Sequence, residues 1–226
     1  MKQVLSEITG RIRSAATSVG RDPGEITLVA VSKTHPAATV ARGIAAGIRH
    51  LGENYIQEAR EKIETLSGEP VTWHFIGHLQ SNKAKYAVDL FEWIHSLDSL
   101  KLARALDREA AKRGLVQKVL IQVNLGDEKS KSGVAGEKAA ELAAAAGELE
   151  HLSVRGLMTL PPLYNDPERV RPYFAALRRL RDDIRARSLP GVDMSELSMG
   201  MTGDFEVAIA EGATMVRVGT AIFGGR

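Results

Sequence analysis

Eight times along this 226-residue chain an apolar, β-branched run gives way to turn residues, and seven of those runs lead into a segment of helical period. The runs are ITLVAVSK, HLGEN, VTWHFIGH, FEWIHSLD, VQKVLIQVNLG, SVRGLMTLP, ELSMGM and TMVRVGTAIFG. Alternation of strand and helix requires right-handed crossovers and therefore a parallel sheet. Eight such units point to an α/β fold of the closed (β/α)8, TIM-type barrel class rather than an open doubly wound sheet. No GxGxxG follows the first run, so the dinucleotide fingerprint is missing as well. The last run reaches Gly224-Gly225-Arg226 almost at once, which predicts a truncated eighth helix. Ahead of the first run, Val4, Leu5, Ile8 and Ile12 recur at helical spacing up to about Gly20. They predict an extra N-terminal helix lying on the barrel's exterior. With no linker or composition break, one domain over 1–226 is expected: the helix over 1–20 and the barrel over 26–224.

Composition narrows the function classes. A hydrophobic fraction of 44% with 26% charged residues is ordinary for a soluble globular protein. A net charge of +2, aromatics at 5% and no arginine block interleaved with aromatics argue against a nucleic-acid partner. There are no cysteines, which excludes disulfides, thiolate catalysis and cysteine-ligated metals and suits a reducing cytoplasm. The N-terminal stretch mixes charge with apolar residues and has no continuous apolar core, so neither a signal peptide nor a membrane span is expected.

In a barrel the reactive groups come from the C-terminal ends of the strands. Taken in order, those ends supply Lys33, Asn54, His78, Asn124, Met158, Ser198 and the stretch from Arg217 to Thr220. That set holds one amine nucleophile, several amide and hydroxyl groups, one arginine and no cluster of carboxylates. Lys33 follows six uncharged residues from Ile26 to Val31. A lysine there either reaches solvent along its stem or, partly desolvated, serves as a Schiff-base amine. The six histidines have no HExxH or other ligand spacing, and no metal is expected. His74 alternates with Trp73 and Phe75 and reads as a satisfied interior histidine, whereas His78 stands nearer the strand end.

Barrels commonly bind phosphate between the loops after strands seven and eight. Those loops, SMGMTGD and RVGTAIFG, offer the Ser198 and Thr220 hydroxyls and backbone N–H groups beside Gly200 and Gly219. Arg217 lies in the apolar strand MVRVG with Val216 and Val218 on the opposite face, so its side chain is expected to enter the barrel. A buried arginine needs a partner, for which a heteroaromatic nitrogen or an internal carboxylate would serve. The loop GDEKSKSG reads as solvated unless ligand handling requires it, and the basic helix with Arg178, Arg179, Arg181 and Arg185 as an outer face.

AVSKTHP, GENYIQEA, WHFIGHLQSNK, VNLGDEKSKSGV, RGLMTLP, LSMGM and EGATMVRVGTAIFG resemble, in order and spacing, the pyridoxal phosphate homeostasis protein family. The resemblance runs from about Ile26 to Gly224. It implies a barrel like the N-terminal domain of alanine racemase, with pyridoxal 5′-phosphate (PLP) held as a Schiff base on Lys33. It also implies that Ser198, the Met199 backbone, Gly219 and Thr220 hold the phosphate, that Asn54 lies beside the ring and that Arg217 faces the pyridine nitrogen. His78 and Met158 complete the candidate cofactor-binding set. Lys131, in GDEKSKSG, is a candidate for a second PLP site. The family commonly reads serine then aspartate after GM, where this chain has Thr202 and Gly203. The threonine keeps a hydroxyl, the aspartate is lost, and Asp204 and Glu206 supply acidity nearby.

The function so implied is storage, buffering or delivery of PLP without strong catalysis, with apo-PLP enzymes as recipients and a monomer or weak dimer as the expected state. The competing reading is an amino-acid racemase of the alanine racemase type. Such racemases carry a second, all-β domain and a tyrosine acid/base opposite the lysine, and this sequence leaves no room for that domain. Tyr55, Tyr86, Tyr164 and Tyr173 all fall on helices or the loops that lead into them. A cofactor-free Schiff-base aldolase would use Lys33 and the phosphate loops but gives Arg217 no partner.

Overall fold

The computed structural model describes residues 1–126, 132–162 and 164–225. The candidate second site at Lys131 lies outside the described residues.

Eight parallel strands close into a barrel: β1 (Thr27–Val31), β2 (His50–Glu53), β3 (Thr72–Phe75), β4 (Trp93–Leu97), β5 (Gln117–Asn124), β7 (Leu152–Thr159), β8 (Val192–Ser198) and β9 (Met215–Val218). Pairing of β1 with both β2 and β9, and of β4 with β5, leaves the ring without a free edge. The two-residue strand β6 (Val134–Ala135), which the sequence does not announce, pairs with the end of β5. Seven helices follow the first seven barrel strands: α2 (Ala37–Ala46), α3 (Ile56–Thr65), α4 (Ala84–Leu90), α5 (Leu100–Ala111), α6 (Gly136–Gly147), α7 (Arg171–Ala186) and α8 (Phe205–Ala210). After β9 only the four-residue α9 (Thr220–Phe223) forms, as the short tail predicts. Among the described residues no helix is long and apolar enough to cross a membrane.

The strands read as continuous apolar runs because both of their faces are buried. Alternate residues enter two different cores. Ala30, Leu51, Phe75, Ile94 and Leu197 face the layer between strands and helices, whereas Val29, Leu120, Met158 and Met215 form a small separate cluster inside the barrel. The leading helix α1 (Lys2–Ser18) buries Ile8, Ile12 and Ala16 and packs on α8, α9 and α2, covering the flank that a full eighth helix would occupy. Arg11 stacks 4.6 Å from the Phe205 ring and donates to Glu206 Oε1 at 2.7 Å. Arg21 Nη1 donates to the carbonyls of Ile209 and Ala213, both at 2.9 Å, holding the far end of α8.

One strand contact admits only glycine. Gly156 on β7 pairs with Glu196 on β8, and a Cβ at that position would lie 1.9 Å from the Glu196 carbonyl oxygen. Because that obstacle is backbone, a side chain can be accommodated only by moving β8. Gly156→Ala is expected to cost more than about 3 kcal/mol, at the large end for a single substitution. Urea unfolding measures this, and a loss under about 1 kcal/mol would show that β8 yields.

Candidate functional site

The site is built at the C-terminal mouth of the barrel, beginning with Lys33. Val29 faces the interior, so alternation also turns Val31 and Lys33 inward, while Ala30 and Ser32 face the helices. Lys33 is half-buried and has no hydrogen-bond or ion-pair partner among the described residues. Asn54 follows β2 on the same inward parity, and its Oδ1 is buried without a partner. Its backbone is seated against Gly77, where a Cβ would come within 2.3 Å of the Asn54 carbonyl oxygen.

Arg217 rises from β9 opposite Val29 and is 3% exposed. Its Nη1 donates to Ser198 Oγ at 2.6 Å and its Nη2 to the Thr159 carbonyl at 2.8 Å. A hydroxyl and a carbonyl, rather than an internal carboxylate, hold the guanidinium. The rest of its five N–H donors are left over. Burial lowers the Arg217 pKa to about 10 against the opposing field of Asp204, so the group is cationic at neutral pH.

Beneath Arg217 runs a line of histidines that strand-by-strand inspection of the sequence misses. Ser198 Oγ lies 2.9 Å from His95 Nδ1, His95 Nε2 lies 3.0 Å from His74 Nδ1, and His74 Nε2 lies 3.0 Å from His50 Nδ1. Ser198 Oγ accepts from Arg217, and an O–H donated from Ser198 to His95 Nδ1 is compatible with that bond. In that direction His95 Nε2–H donates to His74 Nδ1 and His74 Nε2–H to His50 Nδ1, so both nitrogens of the two buried rings are used. Burial holds His74 down at about 3 and His95 well below the usual histidine value, with the neighbouring positive charges adding to both shifts. His74 is thus the satisfied interior histidine that the sequence pattern implies. The rings form a file rather than a convergent shell.

Two of the expected anion-binding groups are committed elsewhere. The Ser198 hydroxyl is fully buried between Arg217 and His95, and the Met199 N–H donates to the Met215 carbonyl at 3.1 Å in the pairing of β8 with β9. Strand-end position alone does not distinguish an outward hydroxyl from one turned down into the barrel. The Thr220 hydroxyl is exposed and donates to Thr202 Oγ1 at 3.2 Å, so the residue that departs from the family pattern joins the mouth. Asp204 Oδ1 accepts from Met201 N–H at 2.6 Å and folds that loop back. Gly219 packs against Val31, where a Cβ would meet the Val31 carbonyl oxygen at 3.1 Å.

His78 and Met158 fall outside this grouping. Met158 is fully buried in the interior apolar cluster. His78 is exposed, 3.1 Å from Ser132 Oγ and 3.6 Å from Asp98 Oδ2, and borders a groove of about 520 Å³ with Tyr55, Arg60 and Tyr86. Sequence inspection also passes over Glu53, Glu58 and Lys62, which gather behind Lys33.

The mouth of the barrel thus holds Lys33, without a partner among the described residues, above the buried Arg217. Residues 5–226 fit the family model described as the N-terminal domain of alanine racemase. The pyridoxal phosphate homeostasis protein of Aquifex aeolicus is 45% identical over 222 residues, 98% of this chain and 96% of that one. That of Escherichia coli K12 is 45% identical over 225 residues, 98% of this chain and 95% of its own. The structure of PipY from Synechococcus elongatus PCC7942 with PLP bound aligns at a TM-score of 0.83 with 40% identity, covering 94% of this chain and 100% of that one. Alanine racemase of Clostridium difficile 630 shares the fold, with a TM-score of 0.71 at 14% identity over 96% of this chain and 55% of the racemase. The chain therefore belongs to the pyridoxal phosphate homeostasis protein family, built on the barrel of the alanine racemase N-terminal domain.

Proposed function

We propose that this protein binds PLP as a Schiff base on Lys33 and serves the cytoplasmic PLP pool by storing the cofactor and handing it to apo-enzymes, with no strong turnover of its own. The carrying observation is Lys33 itself, half-buried, inward-facing and without a partner at the mouth of a barrel whose floor holds a buried cation. PLP brings an electrophilic aldehyde, a dianionic phosphate and a pyridine nitrogen. The residues present fit all three. Lys33 supplies the amine, and the buried, unbonded Asn54 Oδ1 is a polar atom that a ligand beside it would satisfy. Thr202 and Thr220, with the close-set backbone at Gly219, form the phosphate side, and Arg217 keeps spare N–H donors for the ring nitrogen. Ser198 then acts through Arg217 rather than on the phosphate. The whole 1–226 stretch works as one PLP-binding unit.

The test is a visible spectrum followed by borohydride reduction and peptide mass spectrometry. The expected result is a yellow protein whose reduced pyridoxyl adduct sits on Lys33, with the band lost in Lys33→Ala. An adduct on Lys83 or Lys131, or a full band in Lys33→Ala, would overturn the assignment.

A further inference from the structure

Lys62 is 4% exposed, an uncommon state for a lysine, and all three of its N–H donors are used. Nζ donates to the Ser32 carbonyl at 2.6 Å, to Glu53 Oε1 at 2.7 Å and to Glu58 Oε1 at 2.6 Å. Ser32 Oγ donates to Glu53 Oε1 at 2.6 Å. The Thr34 N–H donates to Glu58 Oε1. The residues on either side of Lys33 are thereby fastened, through the Ser32 carbonyl and the Thr34 amide, to one buried ion cluster carried by α3 and the end of β2. Thr34 is held at φ +67°, in the left-handed region that a β-branched residue rarely enters. Such a conformation persists where the surroundings over-determine it, and it recurs at functional sites.

Anchoring α3 to the barrel wall does not account for this arrangement. Apolar packing joins helix to strand elsewhere in this barrel, and a buried ion pair adds little net stability over apolar side chains of equal size. What the cluster adds is a fixed backbone on both sides of one residue. We infer that Lys62, Glu58 and Glu53 form a positioning cluster for Lys33, holding its backbone so that the amine is presented to the mouth and setting how firmly an aldehyde ligand is retained. Lys62 is not itself the reacting amine, because it points behind the barrel wall with its donors saturated. The link to ligand retention rests on the PLP reading above, whereas the link to Lys33 placement does not.

Two variants separate the cluster's parts. Lys62→Met removes the central donor, and Glu58→Ala frees the Thr34 amide while leaving the Glu53–Lys62 pair, so the second serves if the first does not fold. Leu106→Ala, on the buried face of α5, is the control for general loss of stability. PLP titration followed by the Schiff-base band is expected to show affinity about tenfold weaker in the cluster variants, the scale on which small misplacement of a reacting group is felt. Leu106→Ala, compared at matched loss of thermal midpoint, keeps wild-type affinity. A second readout needs no PLP: competitive reductive methylation of the ligand-free protein, quantified lysine by lysine, should rise about threefold or more at Lys33 in the cluster variants alone. Equal effects in the control, or unchanged Lys33 labelling in folded Lys62→Met or Glu58→Ala, would overturn the inference. Altered labelling in a protein whose wild type forms no Schiff base would uphold the positioning and reject the ligand.

Discussion

L-Alanine incubated in deuterium oxide with the PLP-loaded protein is expected to exchange its Cα proton about 10² to 10⁴-fold more slowly than at a site with two opposed proton-transfer groups, and to yield no D-alanine. Two features carry this expectation. On the proposed reading Arg217, cationic and buried, faces the ring nitrogen, and a fixed positive charge there would disfavour protonation of the ring. The electron sink that amino-acid chemistry relies on is correspondingly weakened. The second feature is the placement of the tyrosines. Tyr55 immediately precedes α3 and is 55% exposed, Tyr86 lies on α4 beneath Arg60, and the Tyr164 and Tyr173 hydroxyls lie 3.2 Å apart, paired with each other. None of them stands at a strand end across from Lys33. Exchange at ordinary enzymatic rates would reject the storage reading and favour the racemase. Proton NMR of alanine and chiral analysis of the same sample give both answers.

Mild acid is expected to weaken the fold, because the histidine file resists taking up charge while the barrel is closed. The sign is fixed by which state binds more protons. In the folded chain His74 and His95 stay neutral, His74 down to about 3, whereas in the unfolded chain both titrate near the ordinary histidine value. Below about pH 6.5 the unfolded state therefore takes up more protons, and stability falls as pH falls. His74, with its folded value near 3, removes about 1.4 kcal/mol per pH unit and so about 2 kcal/mol by pH 5, and His95 acts in the same direction, against a typical folding free energy of about 5 to 15 kcal/mol. Three carboxyls whose burial raises their pKa, Glu53, Asp98 and Asp204, act in the opposite sense and soften the slope. Urea midpoints between pH 7.5 and pH 5 measure the effect. A flat profile would mean that the file is protonated in the folded state or opened to water.

How much of this was legible in the sequence differs between scaffold and site. The barrel was legible because each strand lies between an inner and an outer core and so appears as an uninterrupted apolar run. β6 was not, since two residues at the end of β5 carry no pattern. Lys33, Asn54 and Arg217 could be placed from strand ends and alternation alone. Ser198 and Met199 could not: alternation gives a side chain's face but not its depth, and it does not reveal that a backbone amide is already used in strand pairing. His50, His74 and His95 are separated by a whole strand-and-helix unit each, so their contact has no local signature. A histidine at the inward parity of three consecutive strands was the available signal. Glu58 and Lys62 looked like an ordinary solvated i,i+4 pair on a charged helix, and only the buried Glu53 beside them distinguishes the cluster.

The way α1 and β9 finish the barrel bears on how the molecule is made. Closure joins residues 27–30 to residues 215–218, and the first helix packs on α8 and α9, which lie beyond β8 in the chain. These are contacts of very long sequence separation, the class that slows folding most. A chain in which β9 has not yet docked has an unpaired β1 edge, and the α1 face with Ile8 and Ile12 lacks its partners on α8 and α9. That edge is a template for pairing with another nascent chain. Pairing of β1 with β9 is consequently expected to be a late event in folding, because it closes the barrel across a very long stretch of chain.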